Sequence, residues 1–98
     1  MPLRKPRYRF VPRMVEGAPE DTGVYTLYRG SRVLYIGRAA EIRSRLRQHM
    51  SGEVCDCSRQ ATHYSWEIVA QPSARELELL QQQREAAGEW PPCNSHTA

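Results

Sequence analysis

Gly23-Val24-Tyr25-Thr26-Leu27-Tyr28-Arg29-Gly30-Ser31-Arg32-Val33-Leu34-Tyr35-Ile36-Gly37 is the stretch whose reading decides the fold. Residues 24–28 and 32–36 are rich in β-branched and aromatic side chains and flank Arg29-Gly30-Ser31, which predicts a β-hairpin. Turn length sets what the hairpin presents. A two-residue turn at Gly30-Ser31 pairs Tyr25 with Ile36 and sends Tyr25 and Tyr35 to opposite faces. A three-residue loop, Arg29-Gly30-Ser31, sets Tyr25 opposite Tyr35.

Beyond Gly37 the period changes. Ala39, Ile42, Leu46 and Met50 fall on one stripe at helical spacing, bordered by Arg38, Arg45 and His49, until Ser51-Gly52 stops the pattern. Residues 63–69 then alternate between the two faces of a half-buried third strand. Gln71-Pro72-Ser73 supplies a turn and an N-cap, with Glu76 completing a capping box, and a second helix is predicted over residues 74–87, ended by Gly88. On that helix Ala74, Leu77 and Leu80 read as the buried stripe. Glu76 and Glu78 flank it on opposite sides, so helical geometry does not choose between the two carboxylates.

Ninety-eight residues accommodate one domain. Residues 1–15 mix Pro2, Pro6 and Pro12 with Arg4, Lys5, Arg7, Arg9 and Arg13, which predicts an extended basic arm ahead of a domain over residues 16–98. A hydrophobic fraction of 40% and a mean hydropathy of −0.69 imply a small core. No apolar run reaches the roughly 18 residues of a membrane span, and the N-terminus lacks the apolar stretch of a secretory signal. Cys55 and Cys57 are too close for an ordinary staple, so no disulfide scaffold is expected. Spacing Cys-x-Cys beside His49 and His63 is irregular for zinc. Reduced, half-buried cysteines in a cytoplasmic protein are the expectation.

Charge narrows the partner. Residues 1–49 carry eleven Lys and Arg against four Asp and Glu, whereas residues 50–98 carry three against seven. Thirteen of the fourteen basic residues are arginine, the side chain suited to planar, bidentate recognition of phosphate. Nucleic acid is the partner class these charges favour.

Gly23-Val24-Tyr25 followed by Tyr35-Ile36-Gly37 resembles the paired signature of the GIY-YIG nucleases, with valine in place of the first isoleucine. The run from Tyr35 to Leu46 is similar to the family's extension, in which an arginine, here Arg45, lies ten residues after the second tyrosine; Arg38 stands where lysine is usual. Ala74-Arg75-Glu76-Leu77-Glu78 is similar to the family's glutamate helix, and Pro91-Pro92-Cys93-Asn94 to its closing asparagine.

The resemblance implies a small α/β domain, a mostly antiparallel three-stranded sheet flanked by helices, acting as a metal-dependent endonuclease. A catalytically weak nucleic-acid-binding module is the alternative. Carried over by position, Tyr35 would activate water, directly or through a network, while Tyr25 hydrogen-bonds in the same pocket, or the reverse. Arg45 would clamp the scissile phosphate, Glu78 would bind a single Mg²⁺ or Mn²⁺, and Asn94 would orient the glutamate or the tyrosines. Arg38, Arg43, Arg47 and His49 would bind nucleic acid, DNA favoured over RNA. A shared tyrosine site also requires the three-residue loop or a bulge in the hairpin.

Overall fold

The computed structural model describes residues 6–96. Its elements run β1 (Tyr8–Arg9), α1 (Pro12–Val15), β2 (Gly23–Arg29), β3 (Arg32–Ala39), α2 (Ile42–Ser51), β4 (His63–Ile68) and α3 (Pro72–Ala87), with 3-10 turns at Cys57–Gln60 and Pro92–His96. The strands form one antiparallel sheet in the order β1-β4-β2-β3. The sheet therefore has four strands where three were expected.

The extra strand comes from the expected arm. Tyr8 and Arg9 pair with Tyr64 and His63, and the Tyr8 ring stacks against Trp66. Phe10 and Val15 enter the core, and the Tyr64 hydroxyl donates to the Met14 carbonyl at 2.6 Å. Over residues 6–15 the segment is thus part of the domain: aromatic and apolar side chains between its charges gain more by burial than an extended arm would. Residues 1–5 lie outside the described residues.

The hairpin turn is the two-residue one. Arg29 pairs with Arg32 across Gly30-Ser31, and Gly30 sits at φ 62°, a conformation that favours glycine. The register then slips: Tyr28 pairs with Val33 but Leu27 with Tyr35. Leu34 is the extra residue of a β-bulge, and one extra residue reverses the alternation of faces. Tyr25 pairs with Gly37, not with Tyr35, yet the two tyrosines share a face.

That face carries the core. Tyr25, Leu27, Tyr35 and Ala39 pack with Ile42 and Leu46 of α2, Val15 and Ala18 from the N-terminal segment, and Tyr64 of β4. α3 runs against β3 and β2 but contains no fully buried residue. Its half-buried positions are Pro72, Arg75, Glu76, Leu79, Leu80 and Gln83, whereas Ala74 and Leu77 are exposed. The inward stripe is thus rotated from the predicted one. Leu79 and Leu80 are the leucines turned to the sheet while Leu77 is exposed, and that rotation turns Glu76 inward and Glu78 outward.

Cys57 is disulfide-bonded to Cys93, joining the two 3-10 turns, with Cys55 the free cysteine among the described residues. The expectation of unpaired cysteines is corrected. Two cysteines 36 residues apart in sequence meet because both turns pack near the end of α2 and the edge of β3. The inference of a reducing compartment loses its premise. No helix among the described residues is long and apolar enough to cross a membrane.

Candidate active site

Both signature glycines are explained by close approach. A Cβ on Gly37 would lie 2.6 Å from the Tyr25 hydroxyl and 2.7 Å from the Tyr35 ring, and one on Gly23 only 2.1 Å from the Glu67 carbonyl oxygen. Gly37 is the floor on which the two rings lie. Their centroids are 6.1 Å apart, and the His49 ring packs on both, at 5.3 Å from Tyr25 and 4.8 Å from Tyr35.

The Tyr25 hydroxyl is 2.6 Å from His49 Nε2, and His49 Nδ1 is 2.7 Å from Ser58 Oγ. Both phenols are held above their ordinary value, first by burial, with the neighbouring Glu76 charge also raising them and the Arg45 cation opposing it. For Tyr35, the neighbouring Tyr25 hydroxyl acts in the lowering direction as well. Burial, with Arg45 adding to it, pushes His49 down to about 4, so its imidazole is neutral at pH 7.

Arg38, at the end of β3, and Arg45, on α2, line one groove of about 370 Å³ with Ala39, Ala40, Glu41, Ser44 and Gln48. Arg45 Nη1 donates to Gln48 Oε1 at 2.8 Å and its charge acts on both tyrosines and on His49. Arg38 reaches towards α3, donating to Ser73 Oγ at 2.7 Å and lying 3.8 Å from a Glu76 carboxylate oxygen. Ser73 therefore makes no helix cap, and Gln71 occupies the N-cap position. The capping box is not formed.

Among the residues named from sequence, Tyr25, Tyr35, Arg38, Arg45 and His49 are brought together. Glu78 is not: it projects from the outer face of α3 and pairs with Arg75, which also donates to Glu67. Arg43 and Arg47 are turned the other way along α2. Arg43 donates to the Ala18 carbonyl and pairs with Glu20, while Arg47 forms a forked ion pair with Glu16. These two fasten the N-terminal segment to α2. His49 is fully buried with both ring nitrogens engaged, so it sits behind the tyrosines and not at a surface where a phosphate would meet it.

Asn94 serves the backbone. Its Oδ1 accepts from Ile36 N and its Nδ2 donates to Ile36 O, each at 2.9 Å, imitating a neighbouring strand on the open edge of β3 beside Tyr35. Two contributors were missed from sequence. Glu76 was legible in the Leu79-Leu80 pair, which with Gln83 defines a stripe passing through position 76. Ser58 carried no local signal, because its partner is nine residues away on another element.

No protein-family model matches the chain. A 51-residue segment is 37% identical to the UvrABC system protein C of Aquifex aeolicus (strain VF5), covering 52% of this chain and 9% of that protein's length. Among solved structures, the GIY-YIG N-terminal endonuclease domain of UvrC from Thermotoga maritima, bound to magnesium as its catalytic divalent cation, aligns with a TM-score of 0.63 at 24% identity over 74% of this chain and 88% of that one. A point mutant of the same domain aligns with the same score over 87% of its length. The fold of the chain is that of the GIY-YIG endonuclease domain, and its hairpin carries a signature similar to that family's.

Proposed function

We propose that this domain is a divalent-metal-dependent endonuclease that hydrolyses phosphodiester bonds in nucleic acid, DNA favoured over RNA. The observation that carries this is the buried tyrosine pair within the field of Arg45, which with Arg38 lines one groove, and the half-buried Glu76 carboxylate 3.8 Å from Arg38. Hydrolysis needs a base for water, positive charge for the phosphoryl oxygens and release of the leaving oxygen.

Tyr35 is the less deeply buried of the two phenols and faces the incoming water. As Tyr35 takes the water proton, its own passes to Tyr25, and that of Tyr25 to the bare Nε2 of the neutral His49. Such a chain removes a proton without requiring either phenol to exist as a free phenolate beforehand. Arg45, aided by Arg38, binds the non-bridging oxygens, whose charge grows in the transition state. Asn94 holds the backbone at Ile36 and with it the placement of Tyr35.

Glu76 fits a hard cation better than Glu78. Its carboxylate is half-buried beside the phenols with its Arg38 partner at 3.8 Å, whereas Glu78 is tied to Arg75 on the solvent side. Among the described residues no group of three or more His, Cys, Asp and Glu could hold a metal ion, which suits Mg²⁺ or Mn²⁺ taken by one carboxylate with water and substrate phosphate completing the shell. When bound, the cation would polarise a phosphoryl oxygen as a Lewis acid.

The decisive experiment is Mg²⁺-dependent nicking of plasmid and branched DNA by the purified protein, with Glu76→Gln and Glu78→Gln compared under single-turnover conditions. Glu76→Gln should abolish cutting while retaining DNA affinity, and Glu78→Gln should cut within about twofold of wild type, since surface ion pairs of that kind contribute little. Binding without cutting by the wild type in either metal would leave only the nucleic-acid-binding module.

A further inference from the structure

The hydrogen bonds behind Tyr25 continue beyond the residues assigned above. Ser58, in the turn Cys57–Gln60, is fully buried, with Oγ 2.7 Å from His49 Nδ1 and 3.1 Å from the Cys55 carbonyl oxygen. A carbonyl oxygen only accepts, so the Ser58 proton is committed to Cys55 and Oγ meets His49 as the acceptor. The Cys55 thiol, 3.5 Å away, points its weak donor at the same oxygen. Nδ1 of His49 must then carry the imidazole proton, which leaves Nε2 bare and obliges the Tyr25 hydroxyl, 2.6 Å away, to donate to it. The turn is held at both ends: Cys57 by the disulfide to Cys93, and Ala61 by a backbone bond to the Ser58 carbonyl.

We propose that Ser58 is a positioning residue for the cleavage reaction, selecting the His49 tautomer whose bare Nε2 receives the Tyr25 proton. The inference rests on the endonuclease assignment, because the proton it directs is the one that assignment moves. Without the Ser58 hydroxyl, Nδ1–H would lose its partner in a buried site, and the other tautomer, with Nε2–H aimed at the Tyr25 oxygen, would compete. In that tautomer Tyr25 has nowhere to pass a proton. The three-group chain would then stop at its middle member while every ring kept its place.

The test is long-range ¹H–¹⁵N correlation spectroscopy of the uniformly ¹⁵N-labelled full chain at neutral pH, alongside single-turnover cleavage. The wild type should show His49 protonated at Nδ1 and unprotonated at Nε2. Ser58→Ala should move the ring towards the Nε2–H tautomer and lower kcat by about 10–100-fold with KM unchanged, the loss usual for a partner that orients a working histidine. Ser58→Thr, which keeps the hydroxyl, should restore both the tautomer and the rate. A cutting wild type with Nε2–H overturns the inference and leaves the endonuclease standing, and this measurement needs no variant to fold. Ser58→Ala with unchanged tautomer and full rate overturns it equally. A wild type with the Nδ1–H tautomer that cuts no substrate overturns the endonuclease assignment, and with it any catalytic purpose for the tautomer.

Discussion

The two walls of the candidate site are built differently. On one side Tyr25, Tyr35 and His49 are almost wholly buried, packed on one another and continuous with the core of β2, β3 and α2. On the other, Glu76 rides on α3, sixteen residues long without one fully buried side chain, held to the sheet by the half-buried Leu79 and Leu80 and by Arg75 bridging Glu67 and Glu78. Proton transfer tolerates little positional error, whereas a cation that keeps several waters accepts a more mobile carboxylate. In the proposed mechanism the groups that exchange protons lie on the rigid wall and the carboxylate offered to the metal on the compliant one.

The largest effects should come from single atoms on the rigid wall. Tyr35→Phe should lower the single-turnover rate by about 10²–10⁴-fold at unchanged DNA affinity and near-native stability. Tyr25→Phe should match it in rate and in addition lower stability by about 1–3 kcal/mol, since it strands the buried Nε2 of His49. Chemical denaturation run beside the kinetics separates the two. Equal stability of both variants would mean that the Tyr25–His49 bond is not a structural one.

A smaller contrast lies in packing. Leu46→Ala, in the fully buried core, should cost about 2–5 kcal/mol by cavity formation. Leu80→Ala, on the half-exposed face of α3, should cost about 1 kcal/mol or less, and it should reduce metal affinity before it reduces stability. Comparable denaturation midpoints for the two variants would erase the distinction between the walls.

A further contrast is a pH dependence of stability owed to His49. Its folded-state value is pushed down to about 4 from an ordinary 6.5, so between those limits the unfolded chain binds a proton that the folded chain refuses. Stability contributed by keeping the ring neutral is complete above about pH 6.5 and is lost as pH falls towards 4, by on the order of 1–3 kcal/mol. Urea titrations from pH 7 to pH 4.5 should show this slope, and His49→Gln should flatten it. An unchanged slope in the variant would move the effect to another group.

Much of this was legible in the sequence because it is local. The hairpin, the helix after Gly37 and the strand that follows it come from patterns within about a dozen residues, and the family resemblance placed Arg45 with the tyrosines. What was misread depends on distant partners or on a choice between near-equal stripes. Cys57 meets Cys93, Ser58 meets His49 and Tyr8 meets Tyr64 only once the sheet and α2 are packed. On α3 the glutamines at 81–83 weaken the apolar pattern, the stripe read through Ala74, Leu77 and Leu80 left Glu76 and Glu78 on either side, and the family resemblance, not helical geometry, put the metal on Glu78. Basic residues misled for a related reason: charge alone does not distinguish an arginine free to meet phosphate from Arg43 or Arg47, each already occupied by a carboxylate of the same chain.

The bulge at Leu34 makes the hairpin a parity device. With a two-residue turn and no bulge the tyrosines would face apart, so the extra residue in β3 and the shortness of the turn are a matched pair. Lengthening the turn by one residue should therefore be tolerated only together with deletion of the bulge, and either change alone should scatter the site while leaving two well-paired strands. A hairpin of this kind offers two routes to the same surface. Anyone grafting this site onto another sheet must transplant the count of residues between Tyr25 and Tyr35 along with their identities.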